Sequence, residues 1–164
     1  MWSMIPLLAL AAAPVSPSAV LESPTRHVRT TCPYAQSLLR DGFQQSPTFA
    51  RLLVRLERSD LIVYIESQVT LPPGIEGRLL MMSTAHGMRY VLIQMGMGGD
   101  SLQDAIALLG HELEHANEIA DAPGVVDMHG FVALYEQIGV RNGSHQYETK
   151  MAQEAGRQIR RELT

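Results

Sequence analysis

Two histidines four residues apart, His111 and His115, enclose Glu112 in the sequence HELEH. Residues four apart lie one turn apart on an α-helix, so both imidazoles can bind one metal ion. Glu112 projects about 100° away from His111 around such a helix, which sets its carboxylate beside the metal. In this arrangement zinc activates water and the glutamate accepts the proton. The motif therefore predicts metal-assisted hydrolysis, with His111 and His115 as ligands and Glu112 as general base.

The motif falls inside a segment with the features of an amphipathic helix. Ser101 can cap its start, with Asp104 three residues later as a capping partner, and the sequence DAPG ends it near Ala122. One side of this helix carries an apolar stripe that consists of Leu102, Ala105, Ile106, Leu109, Leu113, Ala116 and Ala120. This stripe is the predicted core face.

The two histidines lie on the opposite side of the helix from this stripe, together with Glu118. They are therefore not predicted to be core residues. The alternative interpretation is a solvated acidic helix surface that carries two exposed histidines.

A catalytic zinc ion usually has three protein ligands and one open position. Glu118 shares the histidine face, but three ligands from one straight helix converge poorly, which favours a supporting role for it. Glu148 is expected to head an otherwise apolar stripe of the last helix, where an unpaired charge would be costly. We therefore predict Glu148 as the third ligand and Zn²⁺ as the cofactor. The other downstream candidates are Asp121, Asp127, His129, Glu136, His145 and Glu154.

Two other roles for Glu148 remain open. It can be an acid of the first helical turn, stabilised by the helix dipole, or it can pair with an arginine.

The 164 residues suffice for one domain. Residues 1–19 form an apolar run followed by small residues, which indicates a signal peptide, although no Lys or Arg follows Met1 closely. Residues 20–32 are interpreted as a linker and residues 33–164 as a single zincin-like domain. We expect an exported protein, periplasmic or secreted, without an integral membrane span once the signal is removed.

The element pattern predicts an α+β fold, in which a small antiparallel sheet of about three strands packs on a helical half that carries the motif. Two helices are expected before residue 58, the second capped by Ser46 with Pro47 in its first turn. A strand and a β-hairpin that turns at His86-Gly87 follow. Three more helices are expected after residue 100, the last beginning at Tyr147.

Charge and cysteine content exclude several classes of function. The net charge of −4 gives no electrostatic footprint for nucleic acid. The single cysteine, Cys32, excludes a disulfide framework and a cysteine zinc site. Nothing in the sequence indicates an oligomeric state.

Residues 108–118, together with the glutamate-bearing segment 147–163, resemble zinc metallopeptidases of the gluzincin type. The resemblance implies a zinc ion held by His111, His115 and Glu148, with Glu112 as general base and a peptide or protein as substrate. Over most of residues 45–164 the chain is also similar to small exported bacterial proteins of unknown substrate. The shared features are LLGHEL-H--EIA, LY--IG, -ET--A---G--IR-EL and the upstream RY--I, here Arg89 to Ile93.

The chain departs from the gluzincin pattern at two points. Ala152 stands where these enzymes often carry a carboxylate that orients a histidine, which leaves Asp104, Glu118 or Asp121 as candidates for that task. No residue clearly matches the side chain that stabilises the oxyanion. The candidates near Glu148 are His145, Tyr147 and Tyr135.

The sequence leaves two alternatives to a metallopeptidase open. One is a non-catalytic zinc-binding interaction module of the cell envelope, with four protein ligands that include Glu118. The other is an export-related or envelope-scaffold protein in which the motif is incidental. For the enzyme, we expect the strand MRYVLIQM to line the cleft and to pair through its edge with an extended peptide.

Overall fold

The computed structural model describes residues 25–96, 101–141 and 147–164, with residue 141 described by its backbone alone. In chain order the elements are β1 (Val28–Arg29), α1 (Pro33–Gln45), α2 (Pro47–Glu57), β2 (Leu61–Val69), β3 (Gly77–Ala85), β4 (Met88–Gly96), α3 (Leu102–Ala120), α4 (Met128–Ile138), β5 (Val140–Arg141), β6 (Tyr147–Glu148) and α5 (Lys150–Glu162). The predicted α+β class is confirmed. The predicted signal peptide, residues 1–19, lies outside the described residues.

The main sheet is mixed and has four strands in the order β1-β2-β4-β3, where the sequence predicted about three antiparallel strands. β3 and β4 form the expected antiparallel hairpin, but β4 lies between β3 and β2 and runs parallel to β2, with Val63 opposite Val91. This order places the two strands with the most buried side chains at the centre. β3, whose second half is exposed, lies at the edge.

The segment predicted as a linker belongs to the domain from Thr25 onward. Val28 is buried and pairs in parallel register with Val63, which adds β1 to the edge of the sheet beside β2. Thr25 supports this strand by exchanging hydrogen bonds with Val28. A two-residue strand is too short for periodicity to reveal.

Local signals position several elements as predicted. The Ser46 side chain accepts a hydrogen bond from Phe49 N at the start of α2, and the Ser101 side chain accepts one from Asp104 N at the start of α3. His86 and Gly87 both have positive φ, as the two central residues of a tight type I′ hairpin turn require.

Helix α3 is buried on most of its circumference. Its apolar stripe packs in the core except at Leu102, which is 44% exposed at the first residue of the helix, so the prediction of a core position was wrong there. The other faces of α3 are covered in part by α5 and by Tyr135 of α4. The approach of α5 is close, because a Cβ at Gly110 would lie 2.1 Å from Ile159 Cδ1. The helix that carries the histidines is therefore held on several sides.

The C-terminal end of α3 is fixed by Arg89 of β4, which is 1% exposed. Its guanidinium donates to the carbonyls of Ile119 and Ala120 and to two carbonyls of the turn that follows. It also forms an ion pair with Asp60 at 2.6 Å. Positive charge at a helix C-terminus is favourable, and here it also satisfies carbonyls that the helix leaves unpaired.

Within the described ranges, none of the helices combines the length and the apolar character that crossing a membrane requires.

Candidate metal centre

The two motif histidines face each other on α3. His111 Nε2 and His115 Nε2 lie 3.2 Å apart, with the ring planes nearly perpendicular. His115 is 6% exposed and Glu112 is 4% exposed. The alternative of a solvated acidic helix surface is therefore wrong, because later elements of the chain cover this face.

Glu148 reaches the histidines from β6. Its Oε2 lies 3.4 Å from His111 Nε2, and one ligand atom from each of His111, His115 and Glu148 lies within 4.8 Å of the others. The structure thus brings together the three residues predicted as metal ligands. The reasoning for Glu148 was wrong in one respect, because Glu148 lies in a strand and α5 begins two residues later, capped by Thr149.

The donor set fits a zinc ion. Tetrahedral zinc binds imidazole nitrogen and carboxylate oxygen at about 2.0–2.2 Å, which separates ligand atoms by about 3.3 Å. The separations of 3.2 Å between the histidine nitrogens and 3.4 Å from His111 to Glu148 match this value, and the third pair, His115 and Glu148, lies within 4.8 Å. Two imidazoles and one carboxylate also leave a fourth position open, as catalytic zinc sites do.

Glu118 orients His115 from the side away from the shared site. Glu118 Oε2 lies 2.9 Å from His115 Nδ1, and Thr149 Oγ1 donates to Glu118 Oε1. A proton on Nδ1 leaves the lone pair on Nε2, which faces the site. Of the three acids proposed to orient a histidine, Glu118 takes this position, whereas Asp104 pairs with Arg160 and Asp121 pairs with Arg55.

These contacts also decide against Glu118 as a fourth ligand. Its oxygens engage Thr149 and the Nδ1 of His115, and the ligand cluster found among the described residues contains only His111, His115 and Glu148. The four-ligand arrangement considered for an interaction module is therefore not formed in the described part of the chain.

Glu112 lies beside the cluster in a desolvated position. Burial raises the pKa of its carboxyl group, and the nearby histidines oppose that rise only in part. A Cβ at Gly77 of β3 would lie 2.6 Å from Glu112 Oε1. Glu112 therefore occupies space that only a glycine leaves free.

His111 and Glu148 shift each other's proton affinity. Burial alone would lower the pKa of His111, but the hydrogen bond to Glu148 and the charges of Glu112, Glu148 and Glu118 outweigh it and raise that pKa. The same hydrogen bond lowers the pKa of Glu148, against the effect of its partial burial. A cation bound here would contact both His111 and the carboxylate of Glu148.

Two cavities meet at this centre. One, of about 900 Å³, is lined by residues of α3, α5 and the segment before β3; the other, of about 640 Å³, is lined by β3, α4 and β6. Glu112 and Glu148 line both. The candidate metal centre thus lies in a cleft with an arm on each side.

The three candidates for stabilising an oxyanion have different positions. Tyr135 donates to the carbonyl of His115 and lies 3.3 Å from its Nδ1, on the side away from the shared site. Burial raises the pKa of Tyr135 well above its ordinary value, and the neighbouring Glu118 acts in the same direction, so the phenol remains a donor. Tyr147 lines the smaller cavity beside Glu148. His145 lies outside the described residues.

Several residues of the site escaped the sequence reasoning. Thr149 was interpreted as helix interior. It is the N-cap of α5, a position that Thr favours, and its side chain accepts a hydrogen bond from Ala152 N. Gly77 carried no signal, because its close contact is with a residue 35 positions later in the chain. Arg157, Arg160 and Arg161 are exposed on α5 and line the larger cavity, a role that the sequence reasoning did not assign to them.

Comparison of the chain with protein-family models, with curated proteins and with solved structures finds no match.

Proposed function

We propose that this chain is a zinc-dependent metallopeptidase that hydrolyses peptide bonds of a peptide or protein substrate. The observation that carries the proposal is the convergence of His111, His115 and Glu148 within 4.8 Å, with Glu112 beside them at the junction of two cavities.

His111, His115 and Glu148 would hold the ion, and Glu118 would keep His115 in the tautomer that binds it. When bound, zinc supplies Lewis acidity that polarises a carbonyl and makes water more acidic. Glu112 accepts a proton from the attacking water and later delivers it to the leaving amine.

The edge of β3 lines the cleft and offers a template for an extended substrate. The expectation that β4 would use its edge is wrong, because β4 is paired on both sides. β3 has one partner among the described strands and begins at Gly77, against Glu112. A peptide added to this edge passes in front of the catalytic carboxylate.

Export to the periplasm or the medium is part of the proposal. It rests on the pattern of residues 1–19. Expression of the full chain in a bacterial host, followed by N-terminal sequencing of the exported protein, tests it. A first residue between Ala13 and Val20 supports export, and retention of Met1 in a cytosolic product contradicts it.

Hydrolysis by Glu112→Gln tests the catalytic role. The zinc-loaded wild-type chain should cleave members of a mixed peptide library. Glu112→Gln should bind zinc equally well and cleave the same peptides at least about 100-fold more slowly, as loss of a general base predicts. Glu136→Gln, an exposed change on α4, is the matched control and should keep full activity. Zinc binding by the wild type without hydrolysis of any peptide would support the non-catalytic module instead.

A further inference from the structure

The two arms of the cleft differ in chemistry. One wall of the larger cavity carries Arg157, Arg160 and Arg161, which we call the arginine arm. The smaller cavity, which we call the aromatic arm, is lined by Phe131, Tyr135 and Tyr147. Because Glu112 and Glu148 belong to both, a substrate that spans the centre meets a different environment on each side of the bond to be cleaved.

The guanidinium groups of the arginine arm are available to a ligand. Their side chains are 56%, 61% and 58% exposed in the order Arg157, Arg160, Arg161. Glu154 serves both Arg157 and Arg161, and Asp104 pairs with Arg160 at 2.8 Å. Arg161 also donates to Gln158 Oε1, at 3.2 and 2.7 Å. Two carboxylates thus partner three guanidiniums, in exposed ion pairs that contribute little stability each.

The larger cavity also has an acidic lining residue that does not belong to α5. Glu76, in the segment just before β3, lines the cavity and repels a carboxylate, so an acidic ligand is favoured beside the arginines of α5. Arg160 and Arg161 follow Arg157 by three and four residues on α5, so Arg157 and either of them can bind one carboxylate together. Charge complementarity therefore exists on one side of the cavity.

The aromatic arm does not offer a comparable cation. Its lining includes Arg78, but Arg78 donates twice to Gln94 Oε1, at 2.8 and 2.7 Å. Gln94 donates in turn to Glu66. The two bonds of Arg78 are part-buried, whereas those of Arg161 to Gln158 are exposed. Apolar and aromatic side chains form most of the remaining lining of the aromatic arm.

The arginine arm lies a short distance from the centre. A Cβ at Gly156 would lie 3.5 Å from His111 Cβ; Arg157 is the next residue, and Arg160 is one turn further along α5. One helical turn is about 5.4 Å, and an extended peptide advances about 3.3 Å per residue. A side chain two or three residues from the cleaved bond therefore reaches these guanidiniums.

We infer that the substrate is a peptide with an acidic side chain two or three residues from the scissile bond, on the side that enters the arginine arm. This inference rests on the proposed function for the scissile bond, but recognition of the acidic side chain can be measured without catalysis.

The experiment uses the zinc-loaded Glu112→Gln chain and fluorescent peptides that are identical except for Glu or Gln at one position. The Glu or Gln is placed in turn at each position from three residues before to three residues after the bond that the wild type cleaves. If the wild type cleaves no bond, the Glu or Gln is placed in turn at every position of the peptide. Titration by fluorescence anisotropy should give a Kd about tenfold lower for Glu than for Gln on one side only, as expected for a charge-assisted hydrogen bond. Added salt should reduce this preference.

Two double variants in the same background complete the design. Arg157→Gln with Arg161→Gln should bring the Glu and Gln peptides to within about twofold of each other. Arg40→Gln with Arg58→Gln makes the same charge change at exposed positions of α1 and the end of α2 and should keep the tenfold preference.

The outcomes separate the inference from the proposed function. Cleavage by wild type without any preference for Glu, or a preference that survives in the Arg157/Arg161 variant, overturns the inference and leaves the metallopeptidase intact. Selective binding of acidic peptides that wild type never cleaves supports the acid-binding arm and contradicts the catalytic function. If the chain neither prefers acidic peptides nor cleaves any peptide, the inference and the proposed function are both overturned.

Discussion

The carboxylate of Glu112 lies against Gly77, at the first residue of the edge strand β3. A Cβ at Gly77 would approach Glu112 Oε1 to 2.6 Å and the carboxyl carbon to 3.2 Å. The edge of the sheet and the HExxH helix therefore meet at the proposed general base, and the position of that base depends on the absence of one side chain.

Replacing Gly77 with alanine should displace Glu112 without unfolding the domain. The atom that must move is the end of a flexible side chain, so we expect little change in melting temperature. A displacement of about 1 Å in a catalytic group can reduce the rate about 100-fold. Steady-state kinetics of zinc-loaded Gly77→Ala should show this loss in kcat. Gly124→Ala, where a Cβ meets nothing within 4 Å, should match wild type, and equal kcat in both variants would contradict the positioning role.

Glu118→Gln should weaken zinc binding while the ligands themselves stay in place. The neutral amide is a poorer partner for His115 Nδ1 than the carboxylate that now lies 2.9 Å away. Loss of such a supporting carboxylate typically reduces metal affinity about 10- to 100-fold. Competition with a zinc chelator measures the change, with Glu136→Gln as the exposed control on α4. Unchanged affinity in Glu118→Gln would show that His115 needs no orienting partner.

Arg89→Gln should destabilise the chain strongly, since it removes a buried charge and leaves Asp60 and several carbonyls at the end of α3 without their donor. Each buried carbonyl left without its donor typically costs about 1–3 kcal/mol, whereas the ion pair itself contributes less because Asp60 is 42% exposed. Urea unfolding measures the loss in free energy. Arg40→Gln, which removes an exposed pair with Asp41, should change it by less than about 0.5 kcal/mol; a similarly small loss for Arg89→Gln would be inconsistent with its role.

Stability should depend on the ionisation of Glu162, which joins the end of α5 to the start of α2. Desolvation opposes its ionisation, but hydrogen bonds from Ser46, Gln158 and Thr48 outweigh it and lower the pKa of Glu162 to about 2. A lowered folded-state pKa stabilises the fold above the unfolded pKa of about 4.3 and loses this effect as the pH falls toward 2.

The matching variant is Glu162→Gln. Its deficit in free energy of unfolding relative to wild type should be constant above about pH 5 and should shrink as the pH falls toward 2. Urea titrations at several pH values measure the deficit. A deficit that does not depend on pH would mean that the charge of Glu162 contributes nothing.

Local signals in the sequence predicted much of the helical half. Ser46 and Ser101 were identified as caps, and the pair His86-Gly87 as a turn, because each acts through hydrogen bonds or backbone angles within a few residues. The parallel pairing of β2 with β4 was missed, since it depends on which strands bury most surface once the helices have packed. Pairing between distant segments leaves no period in the sequence.

Part of the arrangement at the candidate metal centre follows from the sequence. His111, Glu112 and His115 share one helix, so helical geometry relates them directly. Glu148 was chosen because a carboxylate on an apolar helix face needs a partner, yet it lies on β6, and the chain brings it to His111 through the cap at Thr149. The burial of the histidine face by α4 and α5 is a property of the tertiary packing and could not be derived from α3 alone.

Zinc affinity of Glu148→Ala tests the central claim most directly, since Glu148 distinguishes a three-ligand centre from an isolated motif. Competitive titration of the metal-free full chain should give one zinc per chain for wild type and for the exposed control Glu154→Ala. Glu148→Ala should bind zinc at least about 100-fold more weakly, because only two imidazoles remain. Equal affinity in Glu148→Ala and wild type would contradict the proposed centre.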